Sequence, residues 1–166
     1  MLQQDLKFGE RILAFRLKLV DAKKRIVIIF FVSAYFPFGA ALPTIRQDFY
    51  LELERCIASC SENEILLIGA DCNSSMGTRS AARDAVLGPF GLPHRNKAGT
   101  ELYEFCSTMG LCSVTSFFQK RQYQTWTNPQ SKLGHQIDLF LTKKSSLPMV
   151  TDAGCLCRPC VDSDHR

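Results

Sequence analysis

The sequence predicts a mixed α/β fold, in which short strands and amphipathic helices alternate loosely and one hairpin interrupts the alternation. Apolar residues alternate with polar ones along residues 11–19, which is the period of a strand. They recur every three or four positions along residues 43–60, which is the period of a helix face. With 166 residues, 46% of them hydrophobic and 22% charged, the chain is expected to form one globular domain over residues 1–166.

The first predicted element is a β-hairpin. Residues 11–19 (RILAFRLKL) form its first strand, and the polar segment DAKKR forms the turn. Residues 26–36 (IVIIFFVSAYF) are almost continuously apolar, so we expect a strand that is buried on both faces. Residues 1–10 are largely polar and predict no strand before this hairpin.

Two helices and three short strands complete the predicted fold. Pro43 suits the first turn of the helix over residues 43–60. Thr100 is predicted to cap a second helix, which Gly110 ends. The three further strands are predicted at residues 65–69, 112–116 and 136–142.

The composition limits the cellular compartments and the partners that we expect for this protein. Five of the eight cysteines are scattered through apolar segments, which is typical of buried, reduced thiols: Cys56, Cys60, Cys72, Cys106 and Cys112. Residues 1–10 lack the apolar core of a signal peptide, so we expect a nuclear or cytoplasmic protein that is not secreted. The longest apolar run, residues 26–35, is too short to span a bilayer. The net charge of +4 permits a nucleic-acid partner but does not require one.

Polar side chains stand where apolar strands end, and in layered α/β folds such groups converge on one edge of the sheet. The residues are Tyr35 after the long strand, Asp71 and Asn73 after ILLIGA, Asp138 within QIDLFLT, and Asp164 with His165 in the closing stretch VDSDHR.

This set of side chains suits phosphoester hydrolysis. An aspartate can take a proton from an attacking water, and a tyrosine and a histidine can donate hydrogen bonds to the pentacovalent phosphate. A second aspartate can fix the tautomer of the histidine, and a carboxylate-rich site favours Mg²⁺. Each residue also has an ordinary structural explanation on its own. Asp71 and Asn73 can form a turn, and Tyr35 can pack at a strand end. Asp138 can be a charge on an edge strand, and His165 can belong to a frayed terminus.

The segments SAYFP, LLIGADCN, TW, QIDLFLT and SDHR, in that order, resemble the endonuclease/exonuclease/phosphatase family over about residues 9–166. They are most similar to the endonuclease domains of non-LTR (LINE-type) retrotransposons, which accompany a reverse transcriptase, and to the craniofacial development protein 2 group. The resemblance implies a deoxyribonuclease I-like four-layer α/β sandwich. It also implies a monomeric enzyme that hydrolyses DNA phosphodiester bonds with Mg²⁺ or Mn²⁺.

The resemblance further implies a role for each residue. Asp71 orients or deprotonates the water, and Asp138 pairs with His165, which contacts the phosphate in the transition state. Tyr35 contacts the scissile phosphate, Asn73 supports Asp71 and the phosphate, and Asp164 binds the metal. Trp126 packs against the site or the nucleic-acid backbone, with packing in the core as an equal alternative.

The chain departs from the family pattern at its two ends. The family carries an Asn on its first strand and a metal-binding Glu on its second, and neither is found in this sequence. The family domain also continues past the histidine with a closing strand. We therefore expect a partial sandwich, missing the first strands and the last strand, which binds Mg²⁺ weakly and has little or no activity as given. Cys72 replaces a usual aromatic residue or leucine, which a small buried side chain tolerates.

Three alternatives remain. The first is a phosphatase of the same fold that acts on a small phosphoester, since the fold does not settle the substrate. The second is a zinc module, although its spacing lacks the usual paired knuckles, with the ligands Cys155, Cys157, Cys160 and His165. The third is a non-catalytic fragment that folds without responding to metal.

Overall fold

The computed structural model describes residues 2–20, 22–82, 84–155, 163 and 165. The helices are α1 (Pro43–Ala58) and α2 (Lys97–Thr108), with short 3-10 turns at Val114–Phe117 and Lys144–Met149. The strands in chain order are β1 (Leu2–Phe8), β2 (Ile12–Val20), β3 (Ile26–Tyr35), β4 (Glu64–Asp71), β5 (Leu111–Ser113), β6 (Trp126–Thr127), β7 (Gly134–His135) and β8 (Asp138–Lys143).

Six of these strands form one sheet in the order β1-β2-β3-β4-β8-β5, and β6 pairs with β7 alone. Only the β3–β4 pair is parallel, and α1 makes the crossover between its two strands. The predicted mixed α/β fold is therefore confirmed. Among the described residues, no helix combines the length and the apolar character needed to cross a membrane.

The expectation that residues 1–10 contain no strand is wrong. β1 pairs antiparallel with β2, from Leu2 opposite Leu17 to Phe8 opposite Ile12, with an irregularity between Gln3 and Leu6. The turn between the strands uses Gly9 at φ 72°, a conformation that glycine adopts without steric cost. Because this strand is largely polar, its sequence shows no clear apolar alternation. Its pairing with β2 stabilises it.

The second helix begins earlier than predicted, and its cap is Asn96 rather than Thr100. The Asn96 side chain accepts a hydrogen bond from the backbone N–H of Gly99 at 2.7 Å. Thr100 lies inside the helix, where its hydroxyl donates to the Asn96 carbonyl at 3.3 Å. A Cβ on Gly99 would lie 1.8 Å from the Ser75 carbonyl oxygen, so the helix approaches that loop as closely as glycine allows.

Both helices cover the same face of the sheet, and the expectation that β3 is buried on both faces is wrong. Phe30 and Val32 of β3 are fully buried in the core, together with Leu53 of α1. The alternate side chains Ser33 and Tyr35 are exposed on the other face. This second face also carries Leu13, an apolar side chain that is exposed there.

The expected burial of scattered thiols is confirmed for the described cysteines other than Cys155. Burial raises the pKa of both Cys56 and Cys106 to about 12, so these thiols stay protonated and unreactive at neutral pH. Cys72, at the position where the family has a larger residue, is 2% exposed and packs as a small core side chain.

A buried ion pair ties β2 to the start of β4, at the end of the sheet opposite to Tyr35. The Arg16 guanidinium donates to Glu64 at 2.6 Å and 3.2 Å, and also to the Ser59 carbonyl at 2.8 Å. Burial opposes ionisation of Glu64, but the hydrogen bonds from Arg16 and Ser61 outweigh it and lower the Glu64 pKa below its ordinary value.

We predict that Arg16→Met lowers the free energy of unfolding by about 1–3 kcal/mol, because Glu64 loses its charged donor while remaining buried. Since the folded-state pKa of Glu64 is depressed, its contribution is present above its ordinary pKa of 4.5 and is lost as the pH falls through the lower folded value. Urea unfolding at neutral and acid pH measures both effects. The exposed Arg55→Met on α1 is the matched control, and equal stability of the two variants would contradict the prediction.

Candidate active site

Three of the predicted site residues are held side by side by the strand register. Tyr35, the last residue of β3, lies opposite Asp71, the last residue of β4. Asp71 in turn lies opposite Asp138, the first residue of β8. Because laterally paired residues point to the same face of a sheet, the three side chains form one row on the face that the helices leave uncovered.

His165 extends this row beyond Asp138. Its Nδ1 lies 3.1 Å from Asp138 Oδ2, and its backbone forms an isolated bridge with Trp126. An ionised carboxylate only accepts hydrogen bonds, so Nδ1 carries the proton in this contact and Nε2 is left for a substrate or a water. The predicted Asp138–His165 pairing is therefore present. Asp164, the predicted metal ligand, lies outside the described residues.

Asp71 is held by the loop that follows it. The Asn73 backbone N–H donates to Asp71 Oδ1 at 3.0 Å, and Asn73 adopts φ 45°, a left-handed conformation that asparagine tolerates. The Asn73 side-chain nitrogen donates to the Phe36 carbonyl at 2.8 Å, which ties the ends of β3 and β4 together. Asn73 thus supports Asp71 through its backbone N–H, whereas the Asn73 side chain holds the residue that follows β3.

Thr125 is a site-supporting residue that the sequence reasoning missed. Its buried hydroxyl accepts hydrogen bonds from the backbone N–H groups of Ile137 and Asp138, both at 3.0 Å. The Thr125 N–H donates to the His135 carbonyl at 2.8 Å. These contacts set the direction in which the chain enters β8. The available signal was the threonine that directly precedes Trp126 in the TW segment.

Trp126 lies beside the site and is half-buried. Its ring centroid is 5.5 Å from that of His135 and 6.5 Å from that of His165. Trp126 therefore packs beside both histidine rings. Of the predicted zinc ligands, Cys157 and Cys160 lie outside the described residues, and His165 faces Asp138.

Tyr35 is oriented by two neighbours of different chemistry. The Arg11 guanidinium lies over its ring, 5.3 Å from the centroid, and the Phe38 ring meets it edge-on at 6.2 Å. The row borders an open cleft of about 910 Å³. Arg11, Tyr35, Asp71 and Asp138 all line this cleft, together with Gln136 and Phe140.

The electrostatics of the row favour a cation. Burial raises the pKa of the Asp71 carboxyl above its ordinary value, and the nearby charge of Asp138 acts in the same direction, while the Asn73 N–H and His165 oppose them. Ligand atoms of Asp71, Asp138 and His165 all lie within 4.8 Å of one another. Carboxylate oxygens are the ligands that Mg²⁺ prefers, so the donor set fits a hard divalent ion held by two aspartates.

Comparison with known proteins agrees with this geometry. The chain is 31% identical over 139 residues to craniofacial development protein 2 of Bos taurus, a match that spans 81% of this chain and 23% of the relative. The structure superposes on the 3' phosphatase NExo from Neisseria with a TM-score of 0.59 at 18% identity, covering 93% of this chain and 62% of that one. The chain is thus similar in sequence to craniofacial development protein 2. Its fold is the deoxyribonuclease I-like fold of the endonuclease/exonuclease/phosphatase proteins.

A second solved member of the family has the same fold. The Xenopus laevis APE2 catalytic domain superposes with a TM-score of 0.55 at 17% identity, covering 83% of this chain and 47% of that one. The chain spans about a quarter of the length of the curated relative that it matches. No protein-family profile matches the sequence.

We predict that Asp71→Asn stabilises the metal-free protein at neutral pH. Because the folded-state pKa of Asp71 is raised, its contribution to stability is fully present below its ordinary pKa of 3.8 and is lost as the pH rises through the folded value. Asparagine removes that loss and can still accept from the Asn73 N–H. Thermal unfolding in EDTA at pH 7 measures the gain, with the exposed Asp48→Asn as control. A lower melting temperature for Asp71→Asn than for the control would overturn this account.

Proposed function

We propose that this site hydrolyses phosphodiester bonds in DNA with the help of Mg²⁺. The observation that carries the proposal is the single row of Tyr35, Asp71 and Asp138 along the strand ends, with His165 bonded to Asp138. A row of this composition offers two carboxylates, a hydroxyl donor and an imidazole at one edge of the cleft.

In this proposal each residue acts on the phosphate or on the water. Asp71, with its raised pKa and its hydrogen bond from Asn73, orients the water and takes its proton. The Tyr35 hydroxyl donates to a non-bridging phosphate oxygen. His165, whose Nδ1 is held by Asp138, takes a proton from solvent at Nε2 and donates from there to a non-bridging oxygen of the phosphate. The bond from phosphorus to the leaving oxygen then breaks, and that oxygen takes a proton from solvent.

Asp71 and Asp138 are the residues that would hold the metal in this proposal, and Asp164 is a third candidate outside the described residues. When bound, Mg²⁺ neutralises charge on the phosphate and lowers the pKa of a coordinated water. Two carboxylates make a weak site, so we propose that the chain needs more Mg²⁺ than a member of the family that keeps its glutamate ligand.

DNA is the proposed substrate for two reasons. The net charge of +4 suits a polyanionic partner. The Neisseria neighbour is described as a 3' phosphatase bound to a product DNA hairpin, which supports DNA as the substrate. The same description supports a second candidate function, removal of a terminal phosphate. The order of the TW and SDHR segments supports a retrotransposon-type endonuclease as the origin of the chain.

We also propose that these residues are part of a larger domain, as expected from the sequence. The sheet face that carries the site leaves Leu13 and Leu19 each 42% exposed and Phe140 41% exposed. The chain covers 62% of the Neisseria neighbour, which therefore has additional structure. A second layer packed on this face would bury these side chains and add about 25 cal/mol for each Å² of apolar surface removed from water.

We predict that the chain nicks supercoiled plasmid slowly and at a raised Mg²⁺ concentration, and that Asp71→Asn and His165→Ala each slow nicking further, by about 10²–10⁴-fold. Gel analysis of the relaxed product measures the rate, and EDTA is expected to abolish it. Asp48→Asn, an exposed aspartate on α1, should nick at the wild-type rate. Nicking that is unaffected by either site variant would mean that this row is not the active site.

The same preparations distinguish the second candidate. A terminal phosphatase would release inorganic phosphate from a 3'-phosphorylated duplex and would leave supercoiled plasmid intact. Release of phosphate without nicking, lost in Asp71→Asn, would replace the endonuclease assignment by the phosphatase one.

A further inference from the structure

Arg11 belongs to the same row as the predicted site residues, at the end opposite to His165. The Tyr35 N–H donates to the Arg11 carbonyl at 3.0 Å, so the two residues face each other across β2 and β3. In order across the sheet, the row therefore reads Arg11, Tyr35, Asp71, Asp138 and His165. The side-chain chemistry changes along it from cationic through hydroxyl to carboxylate and imidazole.

The Arg11 guanidinium has a free binding edge. It stacks over the Tyr35 ring, 5.3 Å from the centroid, and among the described residues it has no hydrogen bond or ion pair. Stacking engages the flat face of a guanidinium, which leaves the N–H groups around its rim for a planar partner such as phosphate. The side chain is exposed and lines the cleft, so such a partner can reach it.

A second cation reinforces this end of the cleft. Lys7 of β1 pairs with Leu13, which pairs with Ser33, so Lys7 points to the same face as Tyr35. It also lines the cleft. Glu10, in the β1–β2 turn, is the opposing charge there, and Lys7, Glu10 and Arg11 together carry a net charge of +1.

About 10 Å separates the backbones of Arg11 and Asp71, because two strand spacings lie between them. We propose that Arg11, supported by Lys7, binds a phosphate that neighbours the one under attack in the row, and so selects a polynucleotide over a substrate with a single phosphate. The inference rests on the proposed phosphodiester hydrolysis. It assigns a function to the β1–β2 hairpin, which supplies both cations and none of the reacting groups.

The test uses the full chain and Arg11→Met, which keeps apolar contact with Tyr35 but removes the charge. Fluorescence anisotropy with a labelled DNA duplex in EDTA measures affinity at several salt concentrations. We expect binding about tenfold weaker, and a slope of log affinity against log salt that is smaller by about one. Arg55→Met, an exposed arginine on the helical layer, should leave affinity and slope unchanged.

A set of duplexes, each with one neutral methylphosphonate linkage near the cleavage position, locates the contact. The penalty of Arg11→Met should vanish on the duplex in which the linkage next to the cleaved one is neutral, and persist on the others.

The outcomes separate this inference from the proposed function. Equal affinity and equal salt slope for wild type and Arg11→Met would overturn the subsite, even if the plasmid is nicked. A penalty of Arg11→Met that persists on every duplex with a neutral linkage would overturn it as well, because Arg11 would then bind no particular neighbouring phosphate. Weaker binding by Arg11→Met in a chain that nicks nothing would retain the subsite and reject the hydrolytic function.

Discussion

The alignment of β3, β4 and β8 is the constraint on which the site depends. Tyr35, Asp71 and Asp138 are neighbours because Ala34 pairs with Ala70 and Ala70 with Leu139 one step further into the sheet. A slip of one residue in either pairing would turn a side chain of the proposed site toward the helices and an apolar one toward solvent. The buried residues next to the site therefore specify its geometry as strictly as they specify the core.

One face of the sheet packs the hydrophobic core, and the other carries the proposed site. The face under α1 and α2 is closely packed around residues such as Phe30, Val32 and Leu53, which are fully buried. The other face is partly open and carries the row from Arg11 to His165, where the pKa of Asp71 is raised by partial burial. A packed core on one side thus holds the row on the other, and the raised pKa of Asp71 means that its charge opposes folding.

Strand ends and their polar residues could be predicted from the sequence, because the alternation that marks a strand also shows where it stops. Tyr35, Asp71 and Asp138 were found in this way, and the family resemblance added the pairing of Asp138 with His165. Contacts between distant segments could not be predicted. β1 pairs with the adjacent β2 although its residues are largely polar, and Asn96 caps its helix through Gly99 although Thr100 is also a capping residue type. Thr125 binds the backbone of Ile137 and Asp138, 12 and 13 positions further on. Arg11 likewise stands at the start of a strand with no local sign of its contact with Tyr35.

The most direct test of this account is a double-mutant cycle on the cleavage rate, with Asp138→Asn, His165→Gln and both together. If Asp138 acts through His165, as their 3.1 Å contact implies, the double variant should cleave no more slowly than the slower single variant. If instead the two losses multiply, or if no variant differs from wild type, the residues do not act as a unit and the central claim is contradicted.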